Sequence, residues 1–240
     1  MGKGIFITGT DTGVGKTLVA GGIAALLREQ GIDVGVMKPA ESGCRRENGK
    51  LIPEDALLLK EMSECQDELE LINPYALESP LTPALAAELE GVEIRMELIR
   101  QAYIELASRH ELVLVEGAGG MLAPLTSGHL MADLSKELGG LPLLIVTRTV
   151  LGTINHTLLS LYYAQKEGME VLGITMNQTS PPYGLAESLN LLALKRWIKV
   201  PLLGSLPFLL NTDKEGIKKA IKAYLDLNPV LMWLRKRSLS

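Results

Sequence analysis

The chain reads as an α/β protein with a mostly parallel central sheet and helices on both faces. Three observations predict that class. Short apolar runs alternate with longer stretches of helical period across the 240 residues, the signature of strand–helix–strand crossovers. Runs such as Leu112-Val113-Leu114-Val115 and Leu143-Leu144-Ile145-Val146 are apolar throughout rather than alternating, as strands buried on both faces are. The first apolar run, Gly4-Ile5-Phe6-Ile7-Thr8, passes through a glycine-rich loop directly into a helical pattern.

Taken in order, the first strand is expected at 4–8 and the first helix at 16–30. A second strand is expected at 33–38, and Glu54-Asp55 place carboxylates in the first turn of a helix over 54–61, where the dipole favours them. Further helices are expected at 94–109, 131–138, 153–167, 185–198 and 214–226, and further strands at 112–116, 142–147, 171–176 and 202–205. Segments 40–53 and 73–83 read as surface loops from their polar, Gly and Pro content. Residues 228–240, with Arg235-Lys236-Arg237, read as a solvated tail. No repeat or low-complexity linker interrupts the pattern, so 1–240 is expected to form a single domain.

Composition narrows the class of partner. A net charge of −4 argues against a general nucleic-acid or membrane-surface binder, and 4% aromatic residues leave little for base stacking. Two cysteines, Cys44 and Cys65, are too few for a disulfide framework or a zinc site and point to a reducing compartment. Residues 1–8 lack a signal-peptide pattern, and no apolar run approaches the roughly 20 residues of a membrane span. The expectation is a soluble, cytoplasmic protein with no nucleic-acid or membrane partner.

The loop Gly9-Thr10-Asp11-Thr12-Gly13-Val14-Gly15-Lys16-Thr17 has the context of a phosphate-binding loop. Its backbone N–H groups and the helix dipole converge on a phosphate, Lys16 reaches the β/γ-phosphates, and the Thr17 hydroxyl can join Mg²⁺. Five residues separate Gly9 from Gly15, one more than the general pattern.

Ligands of open α/β sheets bind outside the carboxyl ends of the strands, so the residues there are the candidates for a site. Lys38 closes the second strand, either as a cation facing the ligand edge or as a lysine snorkelling out of a strand end. Ser42 follows it in a turn. Asp55 is either a first-turn carboxylate or a magnesium ligand. Glu116 ends the run 112–115 and is followed by Gly117-Ala118-Gly119-Gly120. That is where such proteins carry a metal-binding acid, and a buried acid without a partner would be costly. Asn177 follows the fifth strand, suited either to the edge of a base or to a turn. Gly152 and Asn155 begin a helix whose N–H groups can hold an anion, with Asn155 equally readable as an ordinary early-helix polar residue. His110, His129 and His156 lack metal-ligand spacing, and Cys44 lacks an adjacent base.

Together these runs resemble the ATP-dependent dethiobiotin synthetase family of P-loop NTPases. The resemblance covers roughly residues 4–208 and rests on several motifs together. These are Thr8-Gly9-Thr10-Asp11-Thr12 through Gly15-Lys16-Thr17, Lys38-Pro39 with Ser42-Gly43, Asp55-Ala56-Leu57, and Asn73-Pro74-Tyr75. Val113 to Gly120, Ile154-Asn155-His156, Asn177 and Pro201-Leu202-Leu203-Gly204 complete the match. The resemblance implies conversion of 7,8-diaminopelargonate, CO₂ and ATP into dethiobiotin, ADP and phosphate. The route runs through a carbamate and a carbamic–phosphoric anhydride. It places Lys16, Lys38 and Thr12 in catalysis, and Thr12, Ser42, Gly152 and Asn155 on the substrate. The nucleotide falls to Gly13, Val14, Gly15, Lys16, Thr17, Leu18, Asp55, Glu116, Gly117, Ala118, Gly119, Met176, Asn177, Ser205, Leu206 and Pro207. Mg²⁺ falls to Thr17, Asp55 and Glu116. It further implies a homodimer with the substrate's carboxylate end near the interface. Gly13, where an acid is frequent in the family, and the lack of an acid soon after Pro207 are departures. Two alternative readings fit the chain less well. A ParA/MinD-like switch would carry a lysine early in the loop, where Asp11 and Thr12 stand, and a cobyrinate diamide synthetase-like amidoligase would need a further glutaminase domain.

Overall fold

The computed structural model describes residues 3–181 and 184–238. The chain runs β1 (Lys3–Gly9), α1 (Lys16–Glu29), β2 (Val34–Met37), β3 (Ala40–Ser42), β4 (Arg45–Glu47), β5 (Lys50–Ile52), α2 (Glu54–Ser63) and α3 (Leu69–Ile72). It continues β6 (Tyr75–Leu77), α4 (Pro83–Glu90), α5 (Met96–Arg109), β7 (Leu112–Gly120), α6 (Met131–Glu137) and β8 (Leu143–Arg148). The last elements are α7 (Thr153–Lys166), β9 (Val171–Asn177), α8 (Leu185–Lys195), β10 (Leu202–Leu206), α9 (Lys214–Tyr224) and α10 (Asn228–Ser238).

Six strands form the central sheet in the order β10-β9-β8-β1-β7-β2, and the paired neighbours are parallel. Each side chain alternates between the two faces. Ile5 and Ile7 of β1 join one core with Val19 and Ile23 of α1, Leu59 of α2 and Ile221 of α9. Phe6 between them joins the other core with Ile99 and Leu106 of α5, Leu134 of α6 and Leu161 of α7. The sheet is thus the middle of three layers, as the uniformly apolar strand runs predict.

Three expectations are corrected. Segment 40–53 is not a plain loop: β3 pairs in parallel with β6, and β4 and β5 form an antiparallel hairpin. The hairpin turns on Asn48-Gly49, both at positive φ, 50° and 81°, the Asn-Gly pair that a two-residue turn prefers. Segment 73–83 accordingly carries β6, with Tyr75 and Leu77 buried. Nor are residues 228–240 a solvated tail, because 228–238 form α10 and bury Val230, Trp233 and Leu234 against the α1 face of the sheet. Arg235 and Lys236 stay exposed, and residues 239–240 lie outside the described residues.

The topology puts the ends of β1, β2, β7, β8 and β9 along one sheet edge. β1 and β7 are central, so the loop after β1 and the residues ending β7 meet there.

Candidate active site

The loop from Gly9 to Lys16 turns at Gly13 and Gly15, both at positive φ. At Gly15 a side chain would be strained: φ is 85°, and a Cβ would fall against the Asn177 amide, which would have to shift. Lys16 opens α1, and its ammonium curls back to the Asp11 carbonyl at 3.4 Å. Thr12, Gly13, Gly15, Lys16 and Thr17 line a cavity of about 390 Å³ together with Lys38, Glu41, Ser42, Asp55, Glu116, Ala118 and Gly119. Other hollows among the described residues lack this chemistry. One between α5 and α6 is mainly apolar, and another is bounded by surface ion pairs of Arg28, Glu29 and Lys218.

Lys38 is the hub of the cavity. Its Nζ lies 2.6 Å from Oδ2 of Asp55 and 2.5 Å from Oε1 of Glu116. Thr17 Oγ1 donates to the same Glu116 oxygen at 3.0 Å. Burial drives the Lys38 ammonium toward its neutral form, but Glu116 and Asp55 outweigh burial and hold it above the usual lysine range. Burial likewise works against the Asp55 carboxylate, and Lys38 overcomes it and keeps Asp55 below its usual range. Lys16 behaves differently. Burial, aided by Lys38 and opposed by Glu116, pulls it down to about 8. Two ammonium groups of unequal acidity therefore face one cavity.

The backbone beneath this cluster is fixed by residues outside the predicted set. Asn73 donates to the Lys38 carbonyl at 2.7 Å, and the Lys38 N–H donates to Ile72 at 2.8 Å. Helix α2 begins after Pro53, which has no side chain to cap it. Glu41 of β3 does so instead, accepting from the N–H of Asp55 at 2.9 Å and of Ala56 at 3.0 Å. Burial lifts the Glu41 carboxyl to about 7 against those hydrogen bonds. Glu41 thus ties the strand segment bearing Lys38 and Ser42 to the helix bearing Asp55. Sequence reading missed it because its partners lie across a segment read as loop.

The residues expected on the nucleotide divide into groups. The loop residues, Asp55, Glu116, Ala118 and Gly119 converge on the cavity. Asn177 reaches the loop, donating through Nδ2 to the Val14 carbonyl at 2.9 Å, and is itself buried. Val14, Met176 and Leu206 are fully buried in the core, so their side chains serve packing. Gly117 lies against the Phe6 ring, and Leu18 packs on the α1-side core. Ser205 stands beside Met176 one residue before the end of β10, and Pro207 follows that strand, neither of them lining the cavity. Gly152 and Asn155 stand apart at the start of α7, with Asn155 exposed.

The oxygen donors suit a hard divalent cation. Thr17, Asp55 and Glu116 supply one hydroxyl and two carboxylates, and the buried Oε2 of Glu116 has no hydrogen-bond partner among the described residues. The described residues contain no group of three or more His, Cys, Asp or Glu able to hold a metal. A cation here would draw its remaining ligands from phosphate and water.

Comparison with known proteins follows the same line. A family profile described as an AAA domain matches residues 3–216. The chain is 43% identical over 234 residues to the ATP-dependent dethiobiotin synthetase BioD of Thermodesulfovibrio yellowstonii, covering 93% of this chain and 97% of that one. It is 44% identical over 229 residues to the protein of that name from Bacillus licheniformis, covering 95% and 96%. Among solved structures, the Aquifex aeolicus MinD cell division protein superposes with a TM-score of 0.52 at 15% identity, covering 91% of this chain and 87% of that one. A ParA family ATPase from Chlorobium tepidum gives 0.51 at 17% identity, covering 93% of each. At such identities the structural likeness speaks to the fold alone, a P-loop NTPase fold.

Proposed function

The chain belongs to the ATP-dependent dethiobiotin synthetase family, and on that premise we propose how its cavity carries out the reaction. The protein is a ligase that forms dethiobiotin in biotin biosynthesis, with ATP as co-substrate. The whole chain, 1–240, acts as one domain in this reading, and the diamine is 7,8-diaminopelargonate with CO₂ as the carbon source.

The single observation that carries the mechanism is the meeting of Lys16, Lys38, Thr12 and Ser42 with Asp55 and Glu116 around one cavity. One amine of the diamine adds to CO₂ and loses a proton to give a carbamate. A carbamate oxygen attacks the γ-phosphorus, and the bond to ADP breaks. The second amine then attacks the carbamoyl carbon, closing the ring and expelling phosphate. Lys38 stays protonated, so it offers a fixed positive charge to the carbamate and to the anhydride derived from it. Lys16 and the loop N–H groups hold the phosphates, while Thr12 and Ser42 orient the diamine. Phosphoryl transfer of this kind needs positioning and charge neutralisation more than covalent help. Mg²⁺, when bound, neutralises the phosphate oxygens, and Thr17, Asp55 and Glu116 are the residues that would hold it.

The protein works as a cytoplasmic homodimer in this proposal. Both cysteines are buried and unpaired, in keeping with a reducing compartment. Leu151, Leu159 and Tyr162 on and beside α7, with Leu185, Leu189 and Leu192 on α8, leave an exposed apolar face next to Gly152 and Asn155. Such a face fits a second copy of the chain. No helix among the described residues is long and apolar enough to cross a membrane.

The deciding experiment measures ADP release by purified protein with and without 7,8-diaminopelargonate and bicarbonate. Release that depends on both is expected. Equal ATP turnover without the diamine would overturn the reading.

A further inference from the structure

Arg148 and Asn177 are register partners at the carboxyl ends of β8 and β9. Each reaches across to a carbonyl of the phosphate loop. Asn177 donates to Val14, and the Nη2 of Arg148 donates to Thr12. In a trans peptide the C=O and the following N–H point in opposite directions. Drawing the carbonyls of Thr12 and Val14 toward these strand ends therefore turns the N–H groups of Gly13 and Gly15 the other way. Thr12, Gly13 and Gly15 line the phosphate cavity.

Position 13 admits the guanidinium. Gly13 has φ 70°, and a Cβ there would stand 3.3 Å from Nη2 of Arg148. The same guanidinium is 4.0 Å from Oδ2 of Asp11, whose other oxygen accepts the Thr12 N–H at 2.7 Å. Its buried Nε has no hydrogen-bond partner among the described residues. So the guanidinium is engaged by Thr12 and Asp11 of the phosphate loop.

The segment it grips is also a wall. Thr12 and Gly13 line the phosphate cavity, while Thr10 and Asp11 line a neighbouring cavity of about 390 Å³ with Leu122, His156 and Tyr163. We propose that Arg148 is a positioning residue that sets the Thr12–Gly13 peptide of the phosphate loop, and with it the partition between these two cavities. For turnover the proposal rests on the synthetase reading, and for nucleotide binding it rests only on the loop.

The test compares R148A and R148K with the parent by calorimetric titration of a non-hydrolysable ATP analogue with Mg²⁺, alongside melting temperature and diamine-dependent turnover. Loss of a charge-assisted hydrogen bond weakens analogue binding about tenfold in R148A. The melting temperature is expected to stay near that of the parent, and kcat to fall. R148K, which keeps a cationic donor, is expected to recover most of the affinity. Unchanged binding in R148A overturns the proposal, as does equal weakening in both variants. If the parent binds the analogue but shows no diamine-dependent turnover, the synthetase reading fails, while the binding comparison still decides the role of Arg148.

Discussion

The Lys38 ammonium stands 2.5 Å from Oε1 of Glu116, and both residues are buried. The same ammonium reaches Asp55, so one cation spans the two carboxylates that magnesium would use. Replacing Lys38 by Ala is expected to lower kcat by about 10²–10³, the usual loss for one charge-stabilising group. Nucleotide affinity should survive, because the loop and Lys16 remain. With its competitor gone, magnesium should saturate at lower concentration. Diamine-dependent ADP release across a MgCl₂ titration checks both expectations, and near-parental turnover would remove Lys38 from the mechanism.

Glu41 should give the protein a pH-dependent stability. Its folded carboxyl titrates near 7 against an ordinary 4.5. A carboxyl whose folded pKa is raised contributes stability that is complete below its unfolded pKa and is lost as pH rises through the folded one. For Glu41 that window runs from pH 4.5 to about pH 7. E41Q cannot titrate there, so its melting temperature should change less across the window than that of the parent. E41A removes the acceptor for two N–H groups of α2 and should cost about 1 kcal/mol, as a lost helix cap does. Parallel melting curves for parent and E41Q across the window would rule out this role.

At Gly15 the constraint is steric. G15A would press a methyl into the Asn177 amide, 2.1 Å away, at a φ of 85°. A side chain is strained at such a φ, and the loop must open to accept it. The expected result is loss of nucleotide binding with the chain still folded, read by calorimetry and circular dichroism. Parental affinity in G15A would mean that the loop geometry does not govern binding.

The exposed face of α7 offers a test of assembly. Leu159 and Tyr162 are 60% and 67% exposed, and L159D puts a charge in the middle of that face. Sedimentation is expected to change from dimer to monomer, with a raised KM for the diamine. A parent that sediments as a monomer, or an L159D variant that remains dimeric, would place the interface elsewhere.

The layered sheet was legible because two-faced burial demands continuous apolar runs, and the strand runs along the sequence have them. Lys38 and Glu116 were legible for a related reason, since each follows directly on a buried apolar run, although Lys38 could equally have snorkelled out and β7 continues past Glu116 to Gly120. Arg148 ends β8 in the same way, and the same rule applied there would have singled it out. Glu41 gave no such signal, because its partners are N–H groups of a helix that begins across a hairpin. The hairpin has its signal in Asn48-Gly49, but its short strands lack an alternating apolar pattern and β4 is polar and exposed. In α10 the spacing of Val230, Trp233 and Leu234 is helical, but basic residues follow at once and mask the apolar face in the sequence.

The order of strands in the sheet also bears on how the chain is made. β1 and β2 do not pair with each other; each pairs with β7, and Lys3 meets Leu112. On the ribosome the first strand therefore waits for more than a hundred residues before its neighbour emerges. Its clasp from Asn177 comes later still. Distant pairings of this kind slow folding and leave apolar strands uncovered in the meantime. The nucleotide loop thus takes its working shape only after β7, β8 and β9 have joined β1, and ATP can stabilise the fold only from that point.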